Sequence, residues 1–516
     1  MTWQPELEEL ARRRELAEQL GGDERVERQH ATGRLTVRER IEHLVDPGSW
    51  REAGTLTGSA TYDDDGNLKD VVPANSVTGS ARIDGRRVVI AGDDFTVRGG
   101  AADAGIWAKQ VDVERRALAE RVPVIRLLDG TGGGGSVKSL EDFGRTYVPF
   151  NPGWDAMTAL LSEVPVVTAA LGPVAGLGAV RLVTSHVSVM VRDVSQVFVA
   201  GPAVVDAGMG ETVDKESLGG WRLAARAGTV DLVADTEDEA FELVRRVLSY
   251  LPQHTGELPP VTDANDPSDR RDESLRSLVP RERRSPYDVR ALLASVFDNE
   301  SVLELGRLYA GSTVTALARL AGRPVAVLAS DPKVYGGGMS AAGADKMARF
   351  VDLAGTFRLP VVHLVDQPGF VIGSSSEAAG VVRHGARALA AVEQSTMPWA
   401  SVLVRRCFGV AGAGHRPLGR WSYRLAWPSG DWGSLPIEGG LEVAFKRMLA
   451  ESPDAAALKD EIAARLEAVR SPFRTAESFL VEEIVDPAET RPLLCEWVEQ
   501  AYASLPTIDP HRGTRP

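Results

Sequence analysis

Two stretches of the chain carry the same pattern and decide the fold: GRRVVIAGDDFTVRGGAADAGIWAKQVDVERRALAERVPVIRLLDGTGG at residues 85–133, and GRPVAVLASDPKVYGGGMSAAGADKMARFVDLAGTFRLPVVHLVDQPGF at residues 322–370. At a constant offset of 237 and without a gap, 16 of their 49 positions are identical. Each copy has an apolar strand, a glycine-rich turn, a helix of period 3.6 and a second apolar strand. Strands that alternate with helices and are apolar throughout are typical of parallel sheets buried on both faces. The sequence therefore predicts an α/β fold made by internal duplication.

The repeat extends beyond these stretches in both directions. VPVVTAALGPVAGLG at 164–178 matches MPWASVLVRRCFGVA at 397–411, and LVDPGSW at 44–50 parallels VFDNESV at 296–302. The sequence between the copies is rich in Pro, Asp, Arg and Ser, which is typical of a linker. We therefore predict an N-terminal helical segment at residues 1–29, a first domain at 30–255, a linker at 256–287, a second domain at 288–500 and a tail at 501–516.

Composition excludes several classes of protein. Of the 516 residues, 43% are hydrophobic and 25% are charged. This hydrophobic content is sufficient for one large core or two cores of ordinary size. A net charge of −14 argues against broad binding of nucleic acid or anionic membranes. Two cysteines cannot form a disulfide framework or a four-thiolate zinc site, so we predict a reducing cytoplasm and no metal. No apolar signal or membrane span is recognisable, because the longest apolar stretches are broken by Pro and Gly.

Two small-residue turns occupy matching places in the two copies, Gly176-Leu177-Gly178 and Gly409-Val410-Ala411. Backbone N–H groups at such a strand-to-helix turn can polarise an anionic oxygen without a titratable side chain. Small residues also let a planar carbonyl approach the backbone closely. The alternative is that these are ordinary tight turns in a chain with 51 glycines.

A second group of candidates lies in glycine-rich loops. DGTGGGGSVK at 129–138 places consecutive N–H donors and a lysine where a phosphate or thioester could bind. It is not a P-loop, because the lysine comes two positions too late. The loops of the second copy, at 336–340 and 370–380, could likewise shape a substrate or serve as ordinary connections. The candidate cofactor-binding residues are Gly132, Gly133, Gly134, Gly135, Ser136, Lys138, Gly369 and Phe370.

The chain resembles the carboxyltransferase (β) subunits of biotin-dependent acyl-CoA carboxylases, of the propionyl-CoA carboxylase type. The resemblance covers nearly the whole chain in ordered blocks. They are GRLTVRERIEHLVDPGSW from Gly33, SVTGSARIDGRRVVIAGDDFTVRGG from Ser76, LGPVAGLGAV from Leu171, QVFVAGPAVV from Gln196, LVRRVLSYLP from Leu243, ADKMARFVDL from Ala344, VDQPGFVIG from Val365, RHGARAL from Arg383 and VDPAETRPLL from Val485.

The resemblance implies a fold and an assembly. It implies two tandem crotonase-like superhelix domains, in a hexamer that is a dimer of trimers, with active sites between the N-domain of one subunit and the C-domain of another. Because the chain has no Met-Lys-Met site and no ATP-grasp-sized domain, biotin carboxylase and the biotin carrier are expected on separate polypeptides.

The resemblance also implies roles for the candidate residues. Gly176, Leu177 and Gly178 would hold the enolate of an acyl-CoA thioester, and Gly409, Val410 and Ala411 the ureido oxygen of carboxybiotin. CoA would pass the loop at 132–136. The implied reaction moves CO₂ from carboxybiotin to the α-carbon of a propionyl- or acetyl-class acyl-CoA, with no metal.

Several positions depart from the family pattern. Familiar members have Gly-Gly in each turn, whereas this chain has Gly176-Leu177 and Gly409-Val410, which is tolerable only if the side chains point away from the ligand. The usual DSGGARIQ loop is replaced by DGTGGGGSVK, which removes an arginine near the thioester. The family histidine after ELGG is Ala224 here, and Ala413 stands where a residue helps to select the acyl chain.

Side-chain chemistry is a further possibility. His415 and His186 follow the two turns and could shuttle a proton, although a hydrogen-bonded loop histidine is the commoner case. Arg405 and Arg406 could bind phosphate or carboxylate, or form a solvated basic face. His384 is expected to have a structural role.

Two alternative functions stay open. The first is a biotin-independent decarboxylase of malonyl- or methylmalonyl-CoA that uses the same oxyanion hole, which the altered second turn favours. The second is a non-catalytic structural paralogue within a carboxylase complex, which the missing histidine favours and the two preserved turns oppose.

Overall fold

The computed structural model describes residues 2–101, 106–130, 132, 137, 140–141, 144–264 and 266–511. The described residues form two compact units, and the chain passes from unit 1 to unit 2 between Glu257 and Leu258. Each unit is built on an eight-stranded sheet. Among the described helices, none is both long and apolar enough to cross a membrane.

The sheet of unit 1 is antiparallel at one edge and parallel elsewhere. The described strands of unit 1 are β1 Arg51–Ala53, β2 Gly58–Tyr62, β3 Leu68–Pro73, β4 Ser76–Ile83, β5 Arg86–Asp93, β6 Val124–Gly130, β7 Val166–Ala175, β8 Val187–Val191, β9 Gln196–Phe198 and β10 Leu232–Ala234. The order is β1-β4-β5-β6-β7-β8-β10, with β9 on the end of β7 and β2-β3 as a separate hairpin. Every residue of β6 and β7 is buried, as expected for strands covered on both faces.

Helices surround this sheet. They are α1 Gln4–Glu18, α2 Asp23–Ala31, α3 Val37–Leu44, α4 Trp107–Glu120, α5 Trp154–Leu160, α6 Leu177–Val183, α7 Pro202–Met209, α8 Lys215–Gly219, α9 Trp221–Arg226 and α10 Glu237–Tyr250. The start of α3 is fixed by a capping box, in which Thr36 and Glu39 exchange side chain to backbone hydrogen bonds.

Unit 2 repeats the sheet in the order β11-β12-β13-β14-β15-β16-β18, with β17 on the end of β15. Its described strands are β11 Leu303–Leu305, β12 Thr313–Leu320, β13 Arg323–Ser330, β14 Val361–Gln367, β15 Trp399–Phe408, β16 Tyr423–Ala426, β17 Asp431–Gly433 and β18 Glu483–Ile484. Again the first two pairings are antiparallel and the others parallel.

The described helices of unit 2 are α11 Leu275–Leu278, α12 Val289–Val296, α13 Ala341–Thr356, α14 Ser374–Ala378, α15 Val381–Gln394, α16 Gly409–Ala413, α17 Ile437–Ala444, α18 Lys446–Glu451, α19 Ala455–Val469, α20 Pro472–Glu477 and α21 Thr490–Ser504. The core of this unit includes Leu275 and Tyr287, which come from the Pro- and Arg-rich segment between the repeats.

The two sheets match in register as well as in order. In unit 1, Val89 of β5 lies opposite Val124 of β6. In unit 2, the residues 237 positions later, Ala326 and Val361, are paired in the same way. Each unit also has a register irregularity before the end of the following strand pair. The predicted duplicated α/β architecture is therefore confirmed.

Candidate active site

The first predicted turn connects β7 to α6. Gly176 has φ 60° and ψ −123°, a conformation that residues with a Cβ rarely adopt. Its N–H donates to the carbonyl oxygen of Val199 at 3.1 Å and to that of Phe198 at 3.3 Å. This amide is therefore engaged at the end of β9, and Gly176 bends the chain rather than serving as a free donor.

The next two residues supply the free donors of this turn. Within the described part of the chain, the N–H groups of Leu177 and Gly178 have no acceptor, as is usual in the first turn of a helix. The N–H of Val180 closes the turn on the Gly176 carbonyl at 3.1 Å. The Leu177 side chain is half-buried. Two adjacent amides are thus available where β7 ends.

The second turn has the same form. Gly409 has φ 60° and follows β15 directly. Among the described residues, the N–H groups of Val410 and Ala411 have no acceptor. The Val410 side chain is 64% exposed, whereas Ala411 is buried. Within unit 2, the valine therefore projects outward and does not fill an internal cavity.

The glycine loop of unit 1 begins against the first turn. Gly132 has φ 78°, and a Cβ built there would lie 3.1 Å from the Cβ of Ala175 and 3.2 Å from its carbonyl oxygen. Because Ala175 immediately precedes Gly176, only glycine allows this close approach. The other loop candidates, Gly133, Gly134, Gly135, Ser136 and Lys138, lie outside the described residues.

The corresponding loop of unit 2 is held by its backbone and by one ring. Gly369 has φ 127°, and its carbonyl oxygen accepts the N–H of Met339 at 3.0 Å. The Phe370 ring packs on α15, where a Cβ built on Gly385 would lie 2.4 Å from two ring carbons. Phe370 thus joins the loop to a helix, and its predicted role toward biotin stays a prediction.

Loop and turn occupy equivalent positions in the two units. In unit 1, Gly130 pairs with Val174, and the loop glycine and the turn glycine each follow two residues later. In unit 2, Gln367 pairs with Cys407, and both glycines again follow two residues later. Ligands of α/β sheets bind at the carboxyl ends of parallel strands, which is where these elements meet.

A repeated aspartate lies at the same sheet edge. Asp366 is 1% exposed and accepts hydrogen bonds from Arg406 Nε at 2.6 Å and from Arg405 Nη2 at 2.9 Å. Burial would raise its pKa, but the hydrogen bonds and charges of the two arginines hold the pKa below its ordinary value. The predicted carboxylate-binding arginines therefore bind a carboxylate of their own chain. One of them, Arg406, also donates to the Gly336 carbonyl at 2.7 Å.

Asp129 is the counterpart in unit 1 and takes different partners. Arg34 and Arg40 donate to it at 3.0 Å and 2.9 Å. A Cβ built on Gly172 would lie 2.1 Å from its Oδ1, so glycine is required at that position of β7. Asp129 and Asp366 lie 237 positions apart, at equivalent places in the two copies, and an acidic residue that ends an apolar strand in both copies is the sequence signal for this role.

The histidines are hydrogen-bonded within the protein. The Nδ1 of His186 accepts the N–H of Val166, and its Nε2 donates to the Leu161 carbonyl, both at 3.0 Å. Burial lowers the pKa of His415 to about 4, and its Nδ1 donates to the Gly412 carbonyl at 2.8 Å. This geometry favours structural roles over the predicted proton shuttling.

His384 pairs with Asp345 at 2.7 Å, in keeping with the structural role expected for it. The altered family positions carry no polar chemistry. Ala224 is 3% exposed and packs with Leu128 and Met190 in the core of unit 1. Ala413 is exposed in the last position of α16.

A cavity of about 1280 Å³ lies within unit 2, next to Phe408 at the end of β15. Seven arginines and five carboxylates line it. Arg470 pairs with Asp431 and Glu438, and Arg283 pairs with Glu467 at 2.7 Å. The lining is thus largely neutralised, and its arginine content does not indicate an anion site.

Comparison with known proteins gives a consistent result. The family model described as "Carboxyl transferase domain" matches residues 28–508. The methylmalonyl-CoA decarboxylase subunit alpha of Veillonella parvula is 32% identical over 477 residues, which cover 92% of this chain and 91% of that protein. The propionyl-CoA carboxylase carboxyltransferase subunit of Haloferax mediterranei is 31% identical, covering 95% of each chain.

A solved structure is similar over the whole chain. The transcarboxylase 12S crystal structure, a hexamer with methylmalonyl-CoA and methylmalonic acid bound, superposes with a TM-score of 0.87 at 31% identity. It covers 100% of this chain and 98% of that chain. The family resemblance and the crotonase-like fold predicted from the sequence are both confirmed.

Proposed function

This chain belongs to the carboxyl transferase domain family, and we propose that it is the carboxyltransferase component of a biotin-dependent acyl-CoA carboxylase. It is an enzyme of the acyl-CoA carboxyltransferase kind. The proposed reaction moves CO₂ from carboxybiotin on a carrier protein to the α-carbon of a short acyl-CoA of the propionyl or acetyl class. The observation that carries the proposal is the pair of glycine turns at equivalent edges of two equivalent sheets.

Unit 1 would bind the acyl-CoA. The N–H groups of Leu177 and Gly178 would donate to the thioester oxygen, which becomes an enolate oxygen when the α-proton leaves. Donors fixed in place before the reaction stabilise this charge without reorganising, and one such donor is typically worth about 10²–10³ in kcat. Gly176 would set the bend. The loop from Gly132 through Ser136, with Lys138, would accommodate CoA.

Unit 2 would bind biotin. Among the described residues, the N–H groups of Val410 and Ala411 have no acceptor, and two adjacent amides suit the oxygen of a planar ureido group. Gly369 and Phe370 would shape the neighbouring loop. When bound, carboxybiotin supplies the CO₂ and then the ureido nitrogen that takes the α-proton. The residues of this chain would orient the thioester oxygen and the ureido oxygen and stabilise the negative charge that develops on each.

The partners follow from the same proposal. Biotin carboxylase and the biotin carrier would be separate polypeptides, and the subunits would form a hexamer of two trimers. The transcarboxylase 12S structure is a hexamer, which supports this arrangement. Cys407 and Cys495 are free thiols, as is usual in the reducing cytoplasm, where we place the protein.

A second candidate function has one observation in its favour. The relative from Veillonella parvula is named a methylmalonyl-CoA decarboxylase subunit. Unit 1 alone could stabilise the enolate that forms when malonyl- or methylmalonyl-CoA loses CO₂, because the thioester oxygen would meet the same two amides.

One experiment separates these functions. The purified protein is incubated with malonyl-, methylmalonyl- and propionyl-CoA, with and without biotinylated carrier, biotin carboxylase, ATP and bicarbonate. Carboxylation that requires the carrier supports the proposal, whereas loss of CO₂ without the carrier supports the decarboxylase. If a correctly assembled hexamer does neither, both functions are wrong.

A matched pair of variants tests the amides. Proline is tolerated in the first turn of a helix and lacks the N–H. Leu177→Pro should lower kcat/KM for acyl-CoA about 10²-fold, and Val410→Pro should do the same for the biotinylated carrier. Equal losses for both substrates in each variant would contradict the assignment of one turn to each substrate.

A further inference from the structure

The two short helices that follow the turns need support from outside. Helix α6 has seven residues and α16 has five, and isolated helices of this length are not stable in water. Their first-turn amides are therefore only as well placed as the contacts that hold each helix. A helix also leaves its last four carbonyls without partners inside the helix, so these groups are available for such contacts.

In unit 1, one buried side chain holds the far end of α6. Arg126 is fully buried on β6, and its Nη1 donates to the carbonyl of Thr184 at 2.7 Å and to that of Arg181 at 3.1 Å. Its Nε and Nη2 bind the two carboxylate oxygens of Glu114, on α4, both at 2.9 Å. The guanidinium thus ties α6 to α4 and to the sheet.

In unit 2, the residue 237 positions later makes the corresponding contact. His363 is the third residue of β14, as Arg126 is of β6. Its Nδ1 donates to the His415 carbonyl, two residues beyond α16, at 3.1 Å. Two residues of β15 share this carbonyl, the Trp399 Nε1 at 2.9 Å and the Ser401 hydroxyl at 2.8 Å. Burial lowers the pKa of His363 to about 3, so it acts as a neutral donor.

We infer that Arg126 and His363 are paired positioning residues, each of which holds the helix whose amides bind one of the two substrates. The inference rests on their equivalent strand positions and on the places of their targets. Arg126 binds carbonyls in the last turn of α6 and at its C-cap, and His363 binds a carbonyl two residues beyond α16. The link to each substrate rests on the proposed function. Both side chains are buried, and the role that we infer for them is to position the helices and not to contact the reacting atoms.

Arg126 and His363 differ in the number of helix-end hydrogen bonds that depend on them, so the inference predicts effects of different size for the two residues. In unit 1, Arg126 holds two carbonyls by itself, and the residue of β7 opposite it, Thr168, has a buried hydroxyl with no partner in the described part of the chain. In unit 2, His363 is one of three donors to a single carbonyl. Loss of the arginine should therefore have the larger effect.

The variants are designed to avoid leaving a lone buried charge. Glu114→Gln with Arg126→Met removes both charges together, because Arg126→Met alone would leave the buried Glu114 carboxylate with only the more distant Arg181, at 3.9 Å. In the double variant Arg181 keeps its ion pair with Asp93 at 3.8 Å. Arg126→Lys keeps the charge but cannot reach both carbonyls, and it replaces the double variant if that chain does not fold. His363→Leu removes the donor, and His363→Asn is the rescue because its amide N–H can replace Nδ1–H.

Hydrogen exchange of the assembled protein measures positioning directly, and it does not depend on activity. We expect the variants at Arg126 to speed exchange in residues 177–184 at least tenfold and to leave 409–415 unchanged. His363→Leu should do the reverse with a smaller change, and His363→Asn should restore the wild-type rate. Equal changes in both segments, or no change in either, would overturn the inference.

Steady-state kinetics then tests the link to the substrates. Where hydrogen exchange changes in one segment only, the Arg126 variants should show a fall of about tenfold or more in kcat/KM for acyl-CoA. His363→Leu should show a smaller fall, in kcat/KM for the biotinylated carrier. Segment-specific exchange without this kinetic split would show that the supports are real and that the assignment of the turns to the two substrates is wrong.

Discussion

Gly176→Ala is the most direct probe of the first turn. The glycine has φ 60° and ψ −123°, which an alanine adopts only with strain of about 1–3 kcal/mol. Among the described residues, apart from its chain neighbours, the added methyl group would meet no obstacle, because the nearest heavy atom, the Val199 carbonyl oxygen, lies 3.9 Å from the built Cβ. The change therefore tests backbone conformation and not packing.

The strain can be relieved by rotating the peptide between residues 176 and 177. This rotation turns the Leu177 N–H away from its present direction. We expect kcat/KM for acyl-CoA to fall about 10²-fold, within the range for losing one fixed donor. Thermal unfolding should shift by about 2–4 °C for each kcal/mol of strain in a unit of this size. KM for the biotinylated carrier should not change.

Gly178→Ala is the matched control. Gly178 is not in the left-handed region, and its built Cβ would lie 3.2 Å from Cγ1 of Val174, a contact that the valine side chain can relieve. The substitution keeps the N–H, so activity should stay within a fewfold of wild type. If Gly176→Ala retains wild-type kinetics, or if both variants lose activity equally, the bend at Gly176 does not position the donors and our reasoning about the turn fails.

Three further predictions concern stability and biotin access. The pKa values of His363 and His415 in the folded protein are about 3 and about 4, so between pH 6.5 and pH 4 only the unfolded chain takes up their protons. Each histidine should therefore lower the free energy of unfolding by roughly 1.4 kcal/mol per pH unit as the pH falls through this range. Urea unfolding at pH 7 and pH 5 should show a shallower pH dependence in His363→Asn than in the wild type, and equal slopes would contradict this. Val410→Gly should lower KM for the biotinylated carrier if the exposed side chain obstructs entry, and an unchanged KM would show that it does not. Asp366→Asn should lower the free energy of unfolding by about 3–5 kcal/mol, because it leaves the buried Arg405 and the partly buried Arg406 facing a neutral amide. Asp345→Asn, in a partly exposed pair with a histidine, should change it by less than about 1 kcal/mol.

The duplicated sheets could be predicted because their signal is local. Apolar strands, glycine turns and helices recur at a fixed offset, and strands such as β6 and β14 are apolar enough to be read from composition. Short strands were not predictable. β9 and β17 have three residues each and pair with the ends of β7 and β15 only because the chain returns to them after some twenty residues.

The candidate site was predictable in its backbone turns but not in its hydrogen bonds. The glycine turns follow from spacing and residue size alone. That the Gly176 amide is already bound to Val199 depends on the position of β9, which no local pattern gives. The pairing of Asp366 with Arg405 and Arg406 likewise depends on the approach of two strands distant in sequence. A polar residue inside an apolar strand of both copies, Arg126 or His363, was the unused signal.

The different residues at these equivalent positions fit the different tasks that we propose for the two units. An unpaired guanidinium beside α6 would add positive charge near a developing enolate, in a buried region where charges interact strongly. Glu114 binds it through two oxygens, so the pair is neutral and the arginine holds the helix mainly through hydrogen bonds. In unit 2 a neutral imidazole, an indole and a hydroxyl donate to a carbonyl two residues beyond α16 and add no charge. On the proposed function, stabilisation of each substrate oxygen would fall to the amides of the turns, so fixing the direction of these amides should matter more than the charge of the residues that fix it.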